Sequence, residues 1–507
     1  MTYGAVTVTI SCIVIVQGLH QTPPASNSIL RHIRFFTTCI VCFKMLVRDS
    51  RKLVLFVIPV FLLVIFALKL YLDPSSFPAH VQGWVPSQLK KSPGDEQELL
   101  ADEEPSTTKA SPVQSSPAAK TDTPEDKPFG EGIVPQDVSA THIEVFSLST
   151  KDKKFFEIDF RDFTALNPNL IPHPTLENTW IVVAQWLQEG GNSLWFAELV
   201  CNAAFQDGIL RCLHSPTTLP VTATVGGELC QGDMAYFHMN MGPHDARVFY
   251  GPDRPYTTYG SNSIHTCFGQ FVQDFRTLTG WSGDMENMGL FRVGTELQRP
   301  LPWNKIEKNW FLFWDSNGNM YTHYDIKPKR VFAQMNPDGS AGPDLAPAAA
   351  GDEQCLAKYL PKLQTDLESI HQTTNSLKVT MCRRDEPSCV PDDSNTFIMV
   401  IYQHKSYFNY HSVYEPYVML FKQQAPFEIH AMSRKPIWIH GRKKYPEKET
   451  SDMFYVTSMS WKSREQKYHG FIGDEMFLGF GVEDVRTGGI DIRAEDLLKD
   501  MGLCFEG

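Results

Sequence analysis

Apolar residues follow two regimes along this chain. Near the start they run unbroken from Leu53 to Leu68 with a single Pro59 among them, and Leu70, Tyr71 and Leu72 extend the run beyond Lys69. From His142 onward they come in short bursts, rich in β-branched and aromatic residues and punctuated by Gly, Pro, Asn and Asp. Such bursts predict strands. Examples are Trp180–Trp186, Leu194–Val200, Arg247–Tyr250, Tyr256–Tyr259, Phe268–Phe275, Trp310–Trp314, Thr396–Tyr402 and Met453–Trp461. Helices are expected only at Leu356–Ile370 and Ala494–Met501. Many short strands with turns between them, over residues 139–507, predict an all-β domain, a β-propeller or a large sandwich.

The long apolar run approaches the length that crosses a bilayer. Arg48, Arg51 and Lys52 stand immediately before it, so the positive-inside rule keeps 1–52 cytosolic, makes 53–72 a transmembrane signal anchor and puts the rest in a lumen or outside. Ala5–Leu19 is a shorter apolar stretch without a basic start, whereas Met45 opens a complete anchor start, MLVRDSRKLVLFVIPV. Residues 1–44 therefore read as a gene-model extension. Between the anchor and the strands, 73–138 turns polar, and Ala101–Pro128 holds almost nothing large and apolar. A segment of that kind cannot offset its ordering entropy by burial and reads as a disordered stalk rich in Pro, Ser, Thr and Glu.

Composition narrows the classes. The chain has 507 residues, 42% of them hydrophobic and 12% aromatic, enough for a large core. A net charge of −12 argues against nucleic acid as a partner, since phosphate binding needs a basic face. Eight of the eleven cysteines follow the anchor, with close pairs at Cys201/Cys212 and Cys382/Cys389. An even set of this kind is expected to form disulfides, and none has the Cys-x-x-Cys spacing of a zinc site. No metal and no cofactor are expected.

Polar groups beside core-like strands supply the candidate chemistry. Asn167-Pro168-Asn169 opens one strand, and His244-Asp245-Ala246-Arg247 opens another. Glu307, Lys308 and Asn309 interrupt an aromatic stretch, and Lys467–Asp484 carries His469, Asp474, Glu475, Glu483 and Asp484. Carboxylates at strand entries that converge on one funnel would suit sugar chemistry. One carboxyl group handles the proton of the glycosidic oxygen, a second charge stabilises an oxocarbenium-like centre, and Asn, Arg and aromatic groups bind the sugar. There is no Gly-x-Ser-x-Gly elbow and no phosphate-binding glycine loop, so serine hydrolase and nucleotide-loop chemistries fall away.

These stretches, NPNLIPHP, Asp245-Ala-Arg247 before Val-Phe-Tyr, EKNW and HGF…DE…LGFGVED, resemble five-bladed β-propeller carbohydrate-active proteins. The groups they resemble are β-1,2-mannoside phosphorylases and hydrolases and the fungal β-mannosyltransferases similar to them. The chain departs from the Glu-Asp-Pro-Arg element of those propellers by having His244 and Ala246 at the Glu and Pro places. The resemblance implies a five-bladed propeller, and the anchor and stalk resemble fungal Golgi glycosyltransferases of type II topology. The expected function is thus a Golgi-type glycosyltransferase acting on cell-wall or glycoprotein glycans, including mannosyl transfer. Its partners would be a glycan substrate, a sugar-nucleotide donor and, through one helix, a membrane. The alternatives are a membrane-tethered glycoside hydrolase and a non-catalytic glycan- or protein-binding propeller. Asp245 and Glu307 are the expected catalytic carboxylates, with Asn167, Arg247, Asn309, His469, Asp474 and Asp484 binding substrate.

Overall fold

In the computed structural model the described residues are 132–507 except 188–195, 223, 225–226, 240–241, 280–288, 409–410 and 506–507, all within the unit Val113–Gly507. Strands dominate, and many are buried on both faces. Pro255–Asn262 and Phe268–Asp274 are buried along their whole length, and Trp180–Trp186 is buried through Ala184. Strands buried on both faces sit inside a packed molecule, and Pro255–Asn262 and Phe268–Asp274 are so buried although they carry polar residues such as Thr257, Thr258 and Gln270. The largest apolar cluster gathers Trp310, Trp461, Phe480 and Ile492, while Phe313, Tyr402 and Phe421 belong to a second.

The strands are shared among sheets of nine, seven, four, three, two and two strands. The nine-stranded sheet runs Phe454–Trp461, Glu475–Val482, Arg486–Arg493, Phe156–Asp159, Ile209–Cys212, Glu198–Gln206, Trp180–Trp186 and Ala165–Pro172, with Thr217–Thr218 also on Glu198–Gln206. Its two outer strands meet where the Thr457 and Ser458 hydroxyls both donate to the Pro168 carbonyl, so the sheet is nearly closed. Phe156–Asp159 joins the two halves of this sheet, pairing antiparallel with Arg486–Arg493 and parallel with Ile209–Cys212. This corrects the expected five-bladed propeller: the fold is mostly β, with sheets of unequal size and one nearly closed sheet. The physical reason is that alternation locates strands but does not choose their partners across the chain.

Both expected helices also change: that expected at Ala494–Met501 is only Ala494–Leu497, and Met501–Leu503 is a strand. The other ends at Tyr359 instead of running from Leu356 to Ile370, because Leu360 is already extended, with ψ 138°. It precedes Pro361, whose ring disfavours the helical conformation in the residue before it. Ser369–Gln372 is a strand on Thr396–Phe408. The eight cysteines after residue 200 form four disulfides, Cys201–Cys212, Cys230–Cys267, Cys355–Cys504 and Cys382–Cys389.

The segments 1–52 and 53–72, and most of 73–138, lie outside the described residues. Within the last of these, Ile133 bridges to Lys444 and Val138 is buried. Among the described residues no helix is long and apolar enough to cross a membrane. The single-pass anchor, the type II topology, the membrane contact and the Golgi location expected from sequence therefore have no support among the described residues, and the run that would form the anchor lies outside them.

Candidate active site

A cleft of about 470 Å³ opens where several strand entries meet, from four different sheets. Its wall includes Asn167, Asp245, Asn309 and Asp484, and all four have left-handed backbones, with φ of 54°, 50°, 62° and 48°. Two of these bends come from β-bulges. Leu166 and Asn169 face Gln185 and Val183, and His244 and Arg247 face Gly260 and Thr258, so each strand carries one extra residue. An extra residue breaks the ladder and re-aims side chains.

At Asp245 the broken ladder is repaired by side chains. The Asp245 N–H donates to Gln185 Oε1 (3.0 Å) and the Ala246 N–H to Glu198 Oε1 (3.1 Å). Asn169 Nδ2 donates to the Ala246 carbonyl (2.6 Å), and Asn169 Oδ1 accepts the Val248 N–H (3.3 Å). Asn167 Nδ2 then donates to Asp245 Oδ1 at 2.7 Å, tying the two bulges together. Gly481 backs this contact, since a Cβ there would stand 2.7 Å from Asn167 Oδ1.

Charge is divided across the cleft. Asp245 and Asp484 supply two carboxylates. Burial, then the Asp245 charge, raise the Asp484 carboxyl, while Lys405 opposes that rise. Arg247, Lys308 and Lys405 supply cations, and His371 lies among them. Burial and those three cations push His371 down to about 4, so it is neutral at pH 7. Burial and Lys308 likewise lower Lys405. Arg247 forms no ion pair with the Asp245 carboxylate among the described residues. Its Nη1 donates to the Asp245 carbonyl at 3.3 Å, and its guanidinium sits 5.9 Å from the Tyr455 ring centre. Tyr414, Tyr455, Phe268 and Phe311 add aromatic surface.

Of the residues expected from sequence, the cleft thus brings together Asp245, Arg247, Asn167, Asn309 and Asp484. The others lie elsewhere. Glu307 is buried and lines no part of the cleft. Its carboxylate accepts Arg299 Nε (3.0 Å), the Asn304 N–H (2.6 Å) and Trp310 Nε1 (3.0 Å), which makes it a latch for its own loop. It therefore stands apart from the cleft, with three protein donors on its carboxylate. His469 bonds the Thr380 hydroxyl at 2.8 Å and packs on Phe471. Asp474 pairs with Arg384 (2.8 Å) and accepts the Phe471 N–H (2.7 Å), on the wall of a separate surface cleft.

Sequence reasoning noted Lys308 without giving it a role, and missed His371, Lys405, Tyr414 and Tyr455, along with Gln185 and Glu198 behind the cleft. Lys308 was visible inside EKNW. Lys405 stands in a polar stretch of a strand, QHKSYF, where a solvated face is the ordinary interpretation. Tyr414 and Tyr455 look like core aromatics. Glu198 did carry a signal, as a lone carboxylate within the apolar run FAELV.

No family model matches this chain, and no curated protein matches it. Among solved structures, it is similar to the β-1,2-mannobiose phosphorylase of Listeria innocua in complex with β-1,2-mannobiose, at 10% identity and a TM-score of 0.37 over 70% of this chain and 96% of that one. It is similar also to a thermostable family-43 glycoside hydrolase, at 10% identity and a TM-score of 0.33 over 67% and 92% of the two chains. A third is an exo-1,5-α-L-arabinanase from a bovine ruminal metagenomic library, at 9% identity and 0.34 over 65% and 92%. The chain therefore has a distant structural similarity to carbohydrate-active hydrolases and a phosphorylase. At these scores the likeness carries no argument about its reaction. The closer resemblance expected from sequence, to fungal β-mannosyltransferases within a type II membrane protein, is corrected: no family or curated match carries it, and no membrane-crossing helix exists among the described residues.

Proposed function

We propose that the cleft cleaves glycosidic bonds. The observation that carries this reading is the pair of carboxyl groups, Asp245 and Asp484, in one cleft with the charge of the first helping to raise the second. A carboxyl group that holds its proton more tightly, with a second carboxyl group beside it, is what glycoside cleavage needs. Asp484 retains its proton further up the pH scale and gives it to the glycosidic oxygen as the C1–O bond breaks. Asp245, held by Asn167 Nδ2, stabilises the oxocarbenium-like centre or takes a proton from the attacking nucleophile. Asn309 and Arg247 bind hydroxyl groups, and Tyr414, Tyr455 and Phe268 meet the faces of the sugar.

Arg247, Lys308 and Lys405 favour a second reading within the same class. Three cations beside the carboxylates suit an anionic nucleophile, inorganic phosphate, whose oxygen would attack C1 and leave a sugar 1-phosphate. Hydrolysis and phosphorolysis share the acid and differ only in the attacking group.

The test is turnover of a panel of β- and α-linked oligosaccharides, with and without phosphate, followed by chromatography of free sugar and sugar 1-phosphate. Asp484→Asn and Asp245→Asn should each lower turnover about 100-fold or more while the fold persists. Phosphate-dependent product would select phosphorolysis. Binding of an oligosaccharide without any turnover would reject the enzymatic reading in favour of a glycan-binding protein.

A further inference from the structure

Glu198 is fully buried, with 0% of its surface exposed, yet it belongs to the architecture of the cleft. It opens the strand Glu198–Gln206 directly opposite Gln185 on Trp180–Trp186. Opposed residues of neighbouring strands share a face. These two side chains together accept the consecutive N–H groups of Asp245 and Ala246 at the bulge. The second oxygen of Glu198, Oε2, is buried and has no hydrogen-bond partner. A carboxylate left like that would be costly, and a neutral carboxylic acid far less so.

We propose that Glu198 is a positioning residue: as a neutral carboxylic acid it holds the Asp245–Ala246 bend, and its ionisation sets the alkaline limit of the cleft. The charged groups near it are Asp245 and Arg247, from the strand His244–Tyr250, with His244 next to Asp245 in that strand. Its own strand carries no other ionisable group besides the disulfide-bonded Cys201, and Trp180–Trp186 and Thr217–Thr218 beside it carry none. The third paired strand, Ile209–Cys212, lies along the far half of Glu198–Gln206, where its Arg211 is paired with Asp159 and its Cys212 with Cys201. A negative charge formed there repels the Asp245 carboxylate and draws the Arg247 guanidinium off Tyr455 and the Asp245 carbonyl. Both shifts act on residues that line the cleft, through a group that touches no substrate. Burial, reinforced by the Asp245 charge, pushes the Glu198 carboxyl up to about 8, so the change falls at mildly alkaline pH.

The activity half of this inference rests on the proposed glycoside chemistry, and its test separates the two. Glu198→Gln keeps an Oε1 acceptor for Ala246 and cannot ionise. Its pH–activity profile should lose the alkaline limb near pH 8 or move it up by about one pH unit or more. Glu198→Ala, which removes the acceptor, should be weakened across all pH values. In the wild type without substrate, ¹³C NMR of the glutamate carboxyls and the amide proton of Ala246 should show one shared transition near pH 8. An unchanged alkaline limb in Glu198→Gln overturns the inference, and so does a Glu198 carboxyl that titrates in the ordinary carboxylate range. Absence of turnover from every variant and the wild type alike would remove the glycoside reading alone. The NMR transition then decides, supporting the inference if shared with Ala246 and overturning it if not.

Discussion

Replacing Glu198 with glutamine should make stability less dependent on pH, and the size of the effect follows from its burial. The carboxyl moves from an ordinary value of 4.5 to about 8 in the folded protein. Between those values the folded protein holds a proton that the unfolded chain has released. Stability is therefore greatest below pH 4.5, falls as pH rises through the window and levels off above about 8. The window spans 8 − 4.5 = 3.5 pH units, and at about 1.4 kcal/mol per unit the full cost is about 5 kcal/mol. Water entering around an ionised carboxylate reduces such costs, so a loss of about 2–5 kcal/mol is expected.

A domain stability of about 5–15 kcal/mol makes that a large share. Each kcal/mol shifts melting by about 1–1.5 °C in a domain of this size, so the wild type should lose about 3–6 °C relative to Glu198→Gln between pH 4.5 and 8. Melting of both proteins by circular dichroism across that range, at fixed ionic strength, measures it. Parallel curves would refute the argument, since they would mean that Glu198 is ionised in the folded protein or hydrated well enough to bear its charge.

Two further outcomes come from the same geometry. Gly481→Ala puts a Cβ 2.7 Å from Asn167 Oδ1, so Asn167 must move and its bond to Asp245 weakens. KM should rise several-fold, with a stability loss of about 1 kcal/mol, by steady-state kinetics and urea unfolding. Converting Cys355 and Cys504 together to alanine opens a loop spanning 149 residues, which should cost about 3–5 kcal/mol in urea unfolding under non-reducing conditions.

Strands were the legible part of this sequence, because β-branched and aromatic runs announce themselves locally. Trp180–Trp186 is a strand with those same bounds. Which strand lies beside which was not legible. Phe156–Asp159 pairs with residues more than 300 positions away in one direction and about 50 in the other, and nothing within FEID specifies either neighbour. The site shows the same limit. Polar residues at strand entries drew attention to Asp245, Asn167, Asn309 and Asp484, and by the same rule to Glu307. What separates them is the set of donors supplied by Arg299, Asn304 and Trp310, a property of how one loop folds back on itself. Glu198 was hidden for the opposite reason. Its apolar neighbours marked it as core, and although the lone carboxylate in FAELV is a signal, its role is legible only once the bulge it supports is visible.

Backbone strain gives an independent reason to regard the cleft as built for chemistry. Left-handed non-glycine residues also occur at Lys153, Arg161, Asp207 and Asp500, and residues of this kind in turns are ordinary. Asp484 is one of these, in the hairpin turn between Glu475–Val482 and Arg486–Arg493. Within or just before a strand they are not ordinary, because an unbroken ladder would satisfy every N–H without them. Asn167, Asp245 and Asn309 each carry a cost of about 1 kcal/mol, near the low end because short polar side chains tolerate this conformation. Together that is about 3 kcal/mol, a fifth or more of a typical domain's stability of about 5–15 kcal/mol. Four such residues from distant parts of the chain face one cleft, and the side chains of Gln185, Glu198 and Asn169 hold the bend at Asp245 in place. Straight strands would be more stable and would direct those same carboxyl and amide groups differently. The strain is compensated where it brings Asp245 and Asp484 into a common cleft, so replacing Asn169 with alanine, which leaves every cleft-lining side chain intact, should loosen the Asp245 bend and lower kcat more than it changes KM.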